Sequence, residues 1–167
     1  ICRLEIITKL GIIKGTGFFL KFDIGQNKFN CLISNEHVIT SDIINNSYNI
    51  DISYDYLYKS IKIQLDTKKR YIKGFQNKGL DITIVEMIKD DKINEDYFLE
   101  PELEERINRN LTNSRIYIPQ YPNGDKLKNA RGQIKEINKY EFTHLANTYY
   151  GSSGSPVFLE KSIKVIG

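Results

Sequence analysis

The chain has 167 residues, 40% of them hydrophobic and 11% aromatic, with no tryptophan. That length carries one domain, or two small barrels packed as a unit, with a real apolar core. Its 24 basic and 21 acidic residues leave a net charge of +3, too little to argue for nucleic acid as a partner. No apolar run approaches a membrane span, so no membrane partner is expected.

Cys2 and Cys31 are the only cysteines. A secreted domain usually leans on more bridges than one, so two buried free thiols and a reducing, cytoplasmic setting are expected. Because it begins with Ile1, the chain reads as an excerpt of a longer protein.

Taken in order, Cys2-Arg3-Leu4-Glu5-Ile6 alternates apolar with charged residues and predicts a half-buried strand. Gly15-Thr16-Gly17-Phe18-Phe19-Leu20 predicts a second strand whose glycines mark a bend or a close backbone approach. Gly25-Gln26-Asn27 turns the chain into a strand over 29–34, which delivers His37. Short strands follow at 50–52 and 61–65. Thr67-Lys68-Lys69-Arg70 is too short, and too poor in aromatic platforms, for a nucleic-acid groove; it predicts a solvated hairpin tip. Asp81 stands at the start of an apolar strand running to Met87. Residues 89–114 change character, with a short helix predicted over 101–107 and Pro101 in its first turn. Strands are predicted at 115–118, 132–137 and 141–144, with a turn-rich loop over 119–125.

The chain then reaches Tyr150-Gly151-Ser152-Ser153-Gly154-Ser155-Pro156-Val157-Phe158. Acyl transfer wants a hydroxyl standing out of a tight turn, with backbone N–H groups aimed at one spot where an oxyanion forms. Glycines at 151 and 154 let the chain bend there and let a substrate backbone come close. By itself this is also an ordinary Ser/Gly turn between strands. By themselves His37 could be a satisfied core or surface histidine, and Asp81 a strand-start turn residue.

Together the segments resemble one family. Gly151 to Pro156 is similar to the nucleophile loop of the chymotrypsin-like (trypsin-fold) serine peptidases. Its wording is closest to bacterial glutamyl endopeptidases and high-temperature-requirement (HtrA-like) proteases. Gly15-Thr16-Gly17-Phe18, the strand end carrying His37, and Leu80-Asp81-Ile82 resemble the matching family segments, and the order His, Asp, Ser is that of chymotrypsin. The resemblance implies an all-β fold of two packed six-stranded antiparallel Greek-key β-barrels. Residues 1–88 would form the barrel carrying His37 and Asp81, 89–114 the crossing with its short helix, and 115–167 the barrel carrying Ser153. Family members continue further past the nucleophile, so the second barrel is expected to be truncated after Gly167.

The family pattern also assigns roles. Ser153 would be the nucleophile, His37 the general base and Asp81 the carboxylate that orients it, with the N–H groups of Gly151 and Ser153 as oxyanion donors. The implied partner is a polypeptide substrate, cleaved without cofactor or metal; regulatory domains outside this excerpt are compatible with it. The alternative is a catalytically silent recognition or regulatory module on the same fold. Ser152 stands where digestive trypsins carry the Asp of their activation ion pair, so that form of activation is not expected. Thr148, five residues before Ser153, matches a pocket threonine of the glutamyl endopeptidases. Asn147 takes the place of trypsin's lysine-binding Asp, which leaves a small, polar or acid-accepting pocket. His144 is read as a hydrogen-bonded strand histidine or, alternatively, as a substrate contact in that pocket.

Overall fold

The structure, a computed structural model, describes residues 1–75, 80–102, 111–138 and 141–167. Strands β1 (Cys2–Thr8), β2 (Gly11–Ile24) and β3 (Asn27–Ser34) form a meander. They are followed by helix α1 (Ser41–Asn45) and strands β4 (Asn49–Tyr54), β5 (Lys59–Gln64), β6 (Ile72–Gly74) and β7 (Thr83–Glu86). These seven strands pair antiparallel in the order β5-β4-β1-β2-β3-β7-β6. A second sheet, ordered β10-β9-β8-β11, is built from β8 (Arg115–Gln120), β9 (Lys128–Ile137), β10 (Phe142–His144) and β11 (Phe158–Leu159).

Period-2 alternation does what it should in the outer strands. Cys2, Leu4 and Ile6 of β1 and Ile50, Ile52 and Tyr54 of β4 point to one buried face. The centre of β2 instead reads as a continuous buried run, because it is covered on both sides. Phe19 faces the core of the first sheet, meeting Tyr54 edge-on at 5.6 Å and Phe98 at 5.5 Å. Phe18 faces a separate cluster with Phe158 and Val165, which ties the first sheet to the chain beyond Ser153.

The sheets do not close as expected. Instead of two six-stranded barrels there are open sheets of seven and four strands among the described residues. Closing the first would require β5 to pair with β6. The intervening residues are drawn to β7 instead: Tyr71 N–H donates to the Glu86 carboxylate at 2.8 Å, and Glu86 N–H donates back to Tyr71 O at 2.8 Å. In the second sheet β10 and β11 are only three and two residues long, since most of the chain between them is spent on the Ser153 loop.

Other expectations are corrected locally. Arg70 is no part of a solvated tip: its guanidinium is buried and bidentate to Asp91, at 2.8 and 3.0 Å, and also donates to Glu86 O. We expect Arg70→Ala to cost about 3–5 kcal/mol in urea unfolding, because Asp91 would be left buried and unpaired; a loss below about 1 kcal/mol would contradict this. Helix α1 was legible in principle from Thr40-Ser41-Asp42, since the Thr40 hydroxyl accepts from Ile43 N–H as an N-cap. The helix expected over 101–107 lies, past Glu102, outside the described residues. Both cysteines are buried and free; burial pushes the Cys2 thiol up to about 12 and Cys31 to about 11.

Candidate active site

The meeting of His37 with Asp81 follows from strand register. β3 and β7 run antiparallel with Ser34 opposite Thr83, so the chain leaving β3 passes the chain entering β7. A turn closed by Val38 and Ile39 N–H groups on Asn35 O presents His37, and the Thr83 hydroxyl pins the far side by donating to Ile39 O at 2.9 Å. Asp81 Oδ2 lies 2.6 Å from His37 Nδ1, while Oδ1 accepts the His37 backbone N–H at 3.0 Å. The backbone carbonyl of Asp81 is in turn held by Asn35 Nδ2 at 2.7 Å. An ionised carboxylate only accepts, so it places the ring hydrogen on Nδ1 and leaves Nε2 with its lone pair outward.

The Ser153 loop is docked onto this sheet by one residue. Thr16, fully buried in β2, donates its N–H to Ser153 O at 2.8 Å and its hydroxyl to Gly151 O at 2.8 Å. The same hydroxyl accepts Tyr121 N–H at 3.1 Å, and Thr16 O accepts from the Ser34 hydroxyl, three residues before His37. Sequence reasoning noted the Gly-Thr-Gly segment but assigned Thr16 no role; the flanking glycines, which mark a close backbone approach, were the available signal. Gly151 and Gly154 adopt φ of +84° and +86°, the left-handed region glycine favours. Ser152 Oγ accepts Tyr149 N–H and so stiffens the turn from within. The N–H groups of Gly151 and Ser153 donate to no acceptor among the described residues.

Ser153 lines a cavity of about 220 Å³ together with Asn35, His144, Thr148 and Tyr149. Asn35 therefore touches both this cavity and Asp81. Among the described residues no hydrogen bond joins the Ser153 hydroxyl to His37. Thr148 and His144 border the Ser153 cavity, but Asn147 does not; it borders a neighbouring one with Gln120 and Tyr149. His144 Nδ1 is sealed from solvent without a hydrogen-bond partner, which removes the hydrogen-bonded strand histidine as an account of that nitrogen. No group of His, Cys, Asp and Glu among the described residues could hold a metal ion, and no helix among them is long and apolar enough to cross a membrane.

Two antiparallel sheets, with the His-Asp pair on one and a glycine-flanked serine loop packed against it, define the class of fold on which serine peptidases are built. Residues 15–167 match the model of the trypsin-like peptidase domain, and the chain belongs to that family. No curated protein sequence matches it. Its structural neighbours include Deg- and HtrA-type proteins. Deg5 superposes with a TM-score of 0.67 at 13% identity, covering 99% of this chain and 76% of that one. A serine endoprotease from Yersinia pestis gives 0.67 at 15% identity, covering 99% and 51%. The HtrA-type protease AlgW with a tripeptide gives 0.63 at 13%, covering 99% and 49%, so this chain spans about half of those last two.

Proposed function

We propose that the protein is a serine endopeptidase that cleaves polypeptides through an acyl-enzyme on Ser153. The observation that carries this reading is the doubly hydrogen-bonded His37–Asp81 pair, with the oriented Nε2 that it implies. His37 takes the Ser153 proton as the hydroxyl attacks the scissile carbonyl, then returns it to the leaving amine. Asp81 holds the tautomer and stabilises the imidazolium. The unengaged N–H groups of Gly151 and Ser153 receive the oxyanion. In a ligand-free site the Ser–His contact is commonly longer than a hydrogen bond and tightens when substrate binds.

The missing Ser153–His37 bond is also what favours a second reading, a silent recognition module on the same fold. Structures of inactive forms are known among the structural neighbours, such as a Rv3671c protease at 16% identity and TM-score 0.59, with 99% of this chain and 73% of that one covered. A fluorophosphonate probe separates the two. We expect stoichiometric labelling of Ser153, lost in Ser153→Ala and strongly slowed in His37→Ala; an unlabelled, folded wild-type protein would favour the silent module.

A further inference from the structure

Beside the Ser153 cavity lies a second one of about 300 Å³, and Tyr149 forms a wall of both. Gln120, on the last position of β8, is 3% exposed and borders this second cavity. Its Nε2 donates to Asn147 O at 3.1 Å, while its Oε1 is buried with no hydrogen-bond partner. The amide cannot simply turn over, because that would set oxygen against the Asn147 carbonyl. Gln120 therefore fixes the Asn147 side of the cavity wall, while its Oε1, sealed from solvent, lies beneath the lining rather than open to an occupant.

The rest of the lining sets the charge. Lys128 and Arg131 of β9 border the cavity and no carboxylate does. Neither cation is paired with an acid among the described residues, although other surface lysines and arginines are, such as Arg115 with Glu160 and Lys164 with Glu100. The cavity thus asks for negative charge. A glutamate or aspartate in an extended polypeptide offers it through its side chain. A neutral residue leaves the two cations unanswered, and a basic one is repelled.

We propose that this cavity is a subsite for an acidic residue of the bound polypeptide, close to the bond presented to Ser153. The proposal rests on the peptidase reading for its cleavage consequences, but not for binding. Asn147 and Tyr149 belong to the segment leading into the Ser153 loop, so an occupant here touches the wall of the reactive cavity as well. The charge term is an interaction at a partly exposed rim, which sharpens selection more than it adds raw affinity, and it weakens with salt.

The test uses the whole chain and internally quenched peptides in which a single Glu, or Gln in its twin, is moved along the sequence. At one position Glu should raise kcat/KM over Gln by about tenfold, and raised ionic strength should shrink that ratio. Lys128→Glu with Arg131→Glu, both at exposed positions, should abolish or invert it. A ratio near one at every position, or one unchanged in the double variant, overturns the subsite while leaving the peptidase reading standing. A second arm does not depend on cleavage. Ser153→Ala protein is titrated into a fluorescein-labelled pool of Glu-containing peptides and into its Gln-substituted twin, with anisotropy as readout. Tighter binding of the Glu pool that is lost in the Lys128→Glu, Arg131→Glu background supports the subsite even if the wild type cuts nothing. Equal binding of the two pools overturns it.

Discussion

Asp81→Asn is expected to lower kcat by about 10⁴-fold, with much less change in KM. The carboxylate now accepts from two donors of one residue, the His37 ring and its backbone N–H. An amide has a single acceptor oxygen. If that oxygen stays on the backbone N–H, the NH₂ group faces Nδ1, and the ring must carry its hydrogen on Nε2, where it cannot take a proton from serine. Asp81 is about half exposed, so the fold should barely register the change, with unfolding free energy within about 1 kcal/mol of wild type. Steady-state kinetics beside a urea melt separate the two effects. A loss of activity below tenfold would mean that this pair does not set the base.

Gly154→Ala should act in the opposite way, through the fold first. Gly154 has φ of +86°, and a Cβ there would run into Thr16 O and the Ser34 hydroxyl. Neither neighbour is free to yield: Thr16 sits in the middle of a central strand and holds four hydrogen bonds that join the Ser153 loop, β3 and the end of β8. The left-handed backbone and the clash with a main-chain oxygen together should cost about 3–5 kcal/mol. Fluorophosphonate labelling of Ser153 should fall even where the variant stays folded, because the loop must lift away from β2. A variant with wild-type stability and labelling would show that the loop is not seated as described.

Much of the first sheet was legible because alternation is a local property. β1, β4 and β5 could be read from apolar residues two apart, and Gly25-Gln26 sits between paired Ile24 and Asn27 as the turn residues indicated. β2 was underestimated at both ends: Leu20-Lys21-Phe22-Asp23-Ile24 alternates and did carry a period-2 signal, whereas Gly11-Ile12-Ile13-Lys14 does not alternate. Arg70 was misread for a related reason. A run of four polar residues looks solvated until Asp91, far along the chain, supplies a buried partner for one of them. Asn147 and His144 show the same limit at the site. Their distances from Ser153 in sequence said that they were near it, but not that Asn147 faces a neighbouring cavity or that one nitrogen of His144 would be without a partner.

Three things were determined by the sequence alone: strand-rich character, the glycine-flanked serine turn, and the order of imidazole, carboxylate and hydroxyl along the chain. Each depends on neighbours within a few residues, where backbone geometry and side-chain period decide the outcome. Only the tertiary structure decided which strands pair across long loops, and so that the sheets stay open, that Thr16 seats the Ser153 loop, and that Gln120, Lys128 and Arg131 gather around one cavity. Those outcomes come from pairing register and loop closure between distant segments, for which no local pattern of residues carries a signal.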